Sequence, residues 1–152
     1  MGTVIQSCLK RSEEDIRRLN TLGARVRLVK GAYKEKRAVA YQRKTDVDAA
    51  FVDLMRLLLD HGHYPAMATH DPVMIEATKA YAREKGIGRE RFEFQMLYGV
   101  RRDLQAGLVA DGYTVRVYVP FGRQWYPYFM RRLGERQANV WFVLKSLLTE
   151  QS

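Results

Sequence analysis

Three short segments carry side chains that can do chemistry. In Val26–Tyr33, VRLVKGAY, an apolar run carries Arg27 and ends in Lys30-Gly31. A lysine offers a point charge to phosphate, and a glycine lets the backbone approach a ligand closely. The plainer alternative is a solvated lysine at a turn, and the spacing is not that of a GxxxxGK phosphate loop. In Ala68–Asp71, ATHD, Thr69 and His70 stand where a strand gives way to a helix, with Asp71 as N-cap and Pro72 at the first helical position. Free N–H groups at such a junction suit an anion, although a junction histidine is more often structural. In Tyr128–Asn139, YFMRRLGERQAN, helical geometry puts Arg131, Arg132 and Glu135 within about 60° of Tyr128 around the axis. Two guanidiniums beside a ring can clamp a carboxylate, and Glu135 can hold one of them by an ion pair. A solvated charged face is the competing reading.

Other chemistry is poorly supported. Cys8 is the only cysteine, so no disulfide forms within the chain, and the expectation is a small buried hydrophobe in a strand. His61 and His63 flank Gly62 without further ligands at metal spacing, so no metal site is expected. Lys34, Lys36, Arg37, Arg43 and Lys44 cluster with Tyr33 and Tyr41, and could meet nucleic acid or an anionic lipid surface. No nucleic-acid motif accompanies them, so a solvated face is the better reading and no nucleic acid is expected.

The elements that must position these groups follow from Gly and Pro punctuation. Strands are expected over Thr3–Leu9, Val26–Val29, Pro65–Thr69, Phe92–Gln95 and Thr114–Val119. Helices are expected over Ser12–Leu22, Asp46–His61, Pro72–Lys85 and Val100–Ala110, with a closing helical region from Tyr126 to about Leu148. Ser12 with Asp15 resembles a capping box, Thr45 can cap the second helix, and Gly23 and Gly86 supply stops. The second helix places Val47, Ala50, Phe51, Leu54, Leu57 and Leu58 on one face. Strict alternation of strand and helix implies an α/β fold of parallel strands joined by right-handed crossovers, either an open doubly wound sheet or part of a (βα)8 barrel. Polar residues within or at the ends of strands, namely Gln6, Arg27, Lys30, Thr69, His70, Gln95, Arg116 and Tyr118, favour the barrel, whose sites lie at the C-terminal strand ends.

Size and composition fit this picture. The chain has 152 residues, 47% hydrophobic and 28% charged, with a formal net charge of +9, which excludes disordered, collagen-like and disulfide-scaffold classes. The most apolar helical stretch, Ala49 to Leu59, contains Asp53 and Arg56, so no membrane span is expected. No secretion leader is recognised at the N-terminus, and a reducing cytoplasm is the expected compartment.

Taken together, GTVIQSCLKR, VRLVKGAYKE, MATHD, FEFQMLYGVR, VRVYVPFG and MRRLGERQAN, in this order from Gly2 to about Leu144, resemble the proline dehydrogenase family, most closely its short monofunctional bacterial members. The resemblance implies a distorted (βα)8 TIM-type barrel that holds FAD noncovalently at the C-terminal strand ends. It implies oxidation of L-proline to 1-pyrroline-5-carboxylate, in proline catabolism to glutamate. By that resemblance Gln6, Lys30, Gly31, Ala32, Thr69, His70 and Gln95 contact the flavin, and Arg27 lies near its N5. Arg131 and Arg132 bind the proline carboxylate, Tyr118 and Tyr128 wall its ring, and Glu135 is the supporting ion-pair partner. A quinone is the implied electron acceptor, which places the protein in the cytoplasm or at the inner face of the membrane, with peripheral membrane contact. Only five βα units, corresponding to strands 4 to 8 of the barrel, and a C-terminal helix are present, so residues 1–152 read as the C-terminal portion of the barrel with the first three units absent. That would leave sheet edges open to self-association. The alternatives are a noncatalytic fragment of the enzyme and a basic nucleic-acid-binding module.

Overall fold

A computed structural model describes residues 2–31, 35–119 and 122. Among the described residues the element order is β1 (Gly2–Gln6), α1 (Ser12–Thr21), β2 (Arg25–Val29), α2 (Lys44–His61), β3 (Ala66–Ala68), α3 (Pro72–Glu84), β4 (Glu93–Leu97), α4 (Arg102–Ala110) and β5 (Val115–Tyr118), with a 3-10 turn at Arg89–Arg91 before β4. The chain divides into a compact unit over Met1–Val117 and a second over Tyr118–Ser152, of which only residues 118, 119 and 122 are described. The expected closing helical region lies outside the described residues.

The strands form one sheet in the order β1-β2-β3-β4-β5. The first three pairings are parallel, with Val4 opposite Arg27, Arg27 opposite Ala66, and Ala66 opposite Glu93. This order decides between the two architectures left open by the sequence. When each right-handed crossover moves one strand further in the same direction, every helix falls on the same face; a doubly wound sheet must reverse its order once. The result is an arc of a TIM-type barrel, with β1 and β5 at its two ends.

The core lies between that one face and the helices. Val26, Leu28, Met67, Phe94 and Met96 alternate along their strands and pack against Ile16, Phe51, Leu54, Met55, Leu58, Met74, Ile75 and Leu108. Phe92, Phe94 and Tyr113 add an aromatic cluster with ring centroids 5.5 to 5.8 Å apart. The α2 stripe expected from the spacing is recovered at Phe51, Leu54 and Leu58, to which Met55 and Leu59 are added.

Helix starts differ from expectation where side chains found other partners. Ser12 lies inside α1 rather than capping it, because its hydroxyl donates to the Gln6 carbonyl at 2.6 Å, while Arg11 grips Asp15 at 2.7 and 2.8 Å. Thr45 likewise lies within α2, whose N-cap is Arg43 in extended conformation without a side-chain cap. Helix α4 starts at Arg102 rather than Val100, since Gly99 and Arg101 both take positive φ and Arg101 clamps Asp103. Asp71 does cap α3, accepting from the Val73 N–H at 3.0 Å.

Candidate cofactor and substrate site

Because side chains alternate along a strand, the residues that do not enter the core must share the other face of the sheet. Register places Val4 and Gln6 of β1, Arg27 of β2, Ala66 and Ala68 of β3, and Glu93 and Gln95 of β4 on that face. Two of the polar residues singled out in the sequence meet there directly. Arg27 Nε donates to Gln95 Oε1 at 2.6 Å, reaching across β3. The short side chains of Ala66 and Ala68 leave room for that crossing.

Gln95 is itself held. Its Nε2 donates to Glu93 Oε1 at 2.5 Å, and Arg116 of β5 binds both oxygens of Glu93 at 2.8 and 2.9 Å. Glu93 is buried, with 3% exposure. The hydrogen bonds from Arg116 hold its carboxyl below the ordinary range against the opposing effect of burial, and Gln95 adds to the lowering. Glu93 was not among the candidates read from the sequence. The signal was present: in Phe92-Glu93-Phe94-Gln95 a strand period of two puts Glu93 and Gln95 on one face and both phenylalanines on the other.

At the C-terminal end of β2 the chain makes a tight passage. Gly31 has φ +100°, and a Cβ there would lie 2.3 Å from Cys8 Sγ and 3.0 Å from Gln6 Oε1. The backbone at Gly31 is thus pressed against the end of β1, beside the Gln6 amide. Cys8 is buried as expected, although in the turn after β1 rather than within a strand, and burial pushes its thiol up.

Lys30 does not stand as an open charge for an anion. Alternation turns it to the helix side, where its ammonium meets Asp48 of α2 and, at 2.6 Å, Asp71 at the start of α3. It is 7% exposed and pins the end of β2 to two helices. Burial would raise the two carboxyls, but hydrogen bonds overcome it and hold both below their ordinary range: from Lys30 and Lys44 on Asp48, and from Lys30 and the Val73 amide on Asp71.

The Thr69-His70 junction is likewise built. The Thr69 hydroxyl accepts from the Asp71 N–H at 3.1 Å, and Asp71 occupies the α3 N-terminus with its own carboxylate. His70 Nε2 accepts from the Leu97 N–H at 2.9 Å, so the neutral ring carries its proton on Nδ1. Tyr118 ends β5 and is half exposed. Ala32, Tyr128, Arg131, Arg132 and Glu135 lie outside the described residues.

The basic cluster is partly neutralised by its own neighbours, Arg43 pairing with Asp46 and Lys44 with Asp48. No group of three or more His, Cys, Asp or Glu among the described residues could hold a metal ion, and no described helix is long and apolar enough to cross a membrane.

Similarity to known proteins bears on this arrangement directly. Residues 1–145 match the family model described as proline dehydrogenase. The chain is 51% identical over 147 residues to proline dehydrogenase 2 of Bacillus subtilis (strain 168), covering 97% of this chain and 48% of that protein. It is 49% identical over 148 residues to the proline dehydrogenase of Deinococcus radiodurans, again covering 97% of this chain and 48% of that protein. It therefore spans about half the length of these relatives. In structure it is similar to proline utilization A (PutA) of Bdellovibrio bacteriovorus inactivated by N-propargylglycine, with a TM-score of 0.81 and 31% identity over 90% of this chain and 16% of that one. A parallel arc of βα units with a polar inner face, half-length identity near 50% and a family match across nearly the whole chain lead to one conclusion: the chain belongs to the proline dehydrogenase family.

Proposed function

We propose that residues 1–152 supply the cofactor- and substrate-binding half of an FAD-dependent enzyme that oxidises L-proline to 1-pyrroline-5-carboxylate, on the route from proline to glutamate. The observation that carries this reading is Arg27, held by Gln95 on an inner face where β3 contributes only alanines. The groups present suit a flavin ring system, which is rich in acceptors: the Arg27 guanidinium and the Gln6 amide, with His70 and Gln95 in the proposed contact set and the backbone of Gly31 at the edge. Only glycine fits position 31, because a side chain there would collide with Cys8, so the strand end offers bare backbone to a ligand.

When bound, FAD supplies the acceptor for the hydride that leaves proline C5 as the ring nitrogen loses its proton. The work of the protein is then positioning, which can contribute several kcal/mol to lowering a barrier. Arg27 presents a fixed positive charge where negative charge develops. Lys30 serves from behind, fixing the strand end that carries Gly31 and Ala32, while Thr69 shapes the junction that presents His70. Arg131 and Arg132 would anchor the proline carboxylate, with Glu135 steadying them and Tyr118 and Tyr128 enclosing the ring. The electron acceptor in this reading is a quinone, reached by peripheral contact at the inner face of the membrane.

The half-length coverage favours a specific second reading, a chain that is noncatalytic until three further βα units complete the barrel. One experiment separates the two. The purified chain is mixed with FAD, with and without the N-terminal half of the Bacillus subtilis relative, and proline is added anaerobically. Flavin absorbance that bleaches with proline in the chain alone establishes an active half, and bleaching only in the mixture establishes the incomplete one. A colourless protein that ignores FAD and proline in both overturns the assignment.

A further inference from the structure

The reading of Arg27 as the charge beside the flavin raises the question of what aims it, and the answer lies two residues back from Gln95 along β4 on the same face, in a residue that would touch neither cofactor nor substrate. We propose that Glu93 is a positioning residue that sets the polarity of Gln95 and, through it, the orientation of Arg27. The proposal rests on the function proposed above.

The logic is one of donors and acceptors. A glutamine side chain has a donor end and an acceptor end of nearly equal size, and either can face a neighbour. Arg27 can only donate, so it needs the acceptor end of Gln95. An ionised carboxylate can only accept, so Glu93 claims the donor end. With Nε2 fixed at 2.5 Å from Glu93, Oε1 is left to meet Arg27 Nε at 2.6 Å. Reversing the amide would set NH2 against guanidinium at one end and carbonyl against carboxylate at the other.

Glu93 has the properties this role requires. It is 3% exposed, so water does not compete for its oxygens. It is clamped through both oxygens by Arg116, whose planar fork fixes the plane of the carboxylate. The chain Arg116, Glu93, Gln95, Arg27 thus alternates donor, acceptor, donor-acceptor and donor across β5, β4 and β2, and every link is a hydrogen bond of 2.9 Å or less. Charge-assisted links of this kind around a buried carboxylate reinforce one another, although Arg116 itself is exposed.

The test exchanges the two side chains. In Glu93→Gln the acceptor-only constraint is gone and the Gln95 amide can reverse. In the double variant Glu93→Gln with Gln95→Glu, a carboxylate at position 95 accepts from Arg27 and from the new amide at position 93, whose oxygen keeps the bond from Arg116 Nη2 while the bond from Arg116 Nε is given up. The alternation is restored at unchanged net charge. The first readout needs no flavin: the 15N–1H signal of Arg27 Nε in the 152-residue chain, assigned by its loss in Arg27→Lys. It should be sharp and protected from exchange in the parent, broadened or lost in Glu93→Gln, and recovered in the double variant. The second readout uses the flavin-loaded protein with its barrel completed, where Glu93→Gln should slow flavin reduction by about tenfold to a hundredfold, with the half-saturating proline concentration little changed and the rate largely recovered in the double variant. An Arg27 signal indifferent to Glu93→Gln overturns the positioning role, as does a double variant no better than the single one. A parent protein that never reduces flavin instead overturns the proposed function, and leaves the Arg27 signal to decide the linkage by itself.

Discussion

Gly31 lies so close to Cys8 that a methyl group at position 31 would fall 2.3 Å from the Cys8 sulfur. Position 31 also has φ +100°, a conformation that side-chain-bearing residues adopt at a cost. Gly31→Ala is therefore expected to destabilise the chain by about 2 to 4 kcal/mol, from overpacking together with backbone strain. Cys8→Ala in the same chain should return part of that loss, because it removes the sulfur and leaves the strain. Denaturant unfolding of both variants checks this, and full recovery in the double variant would show that the backbone contributes nothing.

The Lys30 cluster predicts acid sensitivity. Asp48 and Asp71, against burial, and Glu93, through Arg116, are all held below the ordinary carboxylate range in the folded chain. The unfolded chain then takes up protons at higher pH than the folded one. The stability these groups contribute is complete above about pH 4 and is lost as pH falls through that value towards the lowered folded ones. Lys30→Met should cost about 3 kcal/mol at neutral pH, the low end for breaking a buried pair, since Asp48 keeps Lys44 and Asp71 keeps the Val73 amide. It should also flatten the acid limb in part, because Asp48 and Asp71 then lose one of the partners that lower them. Unfolding curves across the acid range read both effects.

His70 tests a different bond. His70→Phe keeps a ring but removes the acceptor for the Leu97 N–H, and should destabilise by about 1 to 3 kcal/mol. Hydrogen exchange at the Leu97 amide is the direct measurement: faster exchange in His70→Phe is expected, and an unchanged rate would mean that the bond contributes little.

Among the described residues the arc ends on β1, where Val4 is 51% exposed on the inner face. An edge strand with an apolar, half-exposed residue invites pairing with another chain, and lysine at such positions discourages it. The isolated chain is expected to self-associate at micromolar concentration, and Val4→Lys to shift it towards monomer. Sedimentation velocity over a concentration series distinguishes this from a parent that is monomeric throughout.

Much of the fold was legible because it is local. Glycines at 23, 86 and 112 and Pro72 punctuate the chain, and between them periods of two and of three to four separate strand from helix without reference to anything distant. The Asp71 cap was readable for the same reason, its partner being two residues away. The caps assigned to Ser12 and Thr45 failed because a distant partner or an earlier start took precedence: Ser12 found the Gln6 carbonyl at the end of β1, and α2 begins one residue before Thr45.

The site divides along the same line. Sequence by itself determined which residues carry charge and amide groups, that they recur at strand ends, and by resemblance the family to which they belong. Only the tertiary structure decided how they pair. Arg27 and Gln95 are 68 positions apart, Lys30 and Asp71 are 41 apart, and Arg116 and Glu93 are 23 apart. Such pairings are set by strand order and register, which bring together side chains that share a face. That is why Lys30, three residues from Arg27, was turned to the helices to serve as a pin, while Glu93, whose partner Arg116 arrives only with β5, was buried on the inner face beside Gln95.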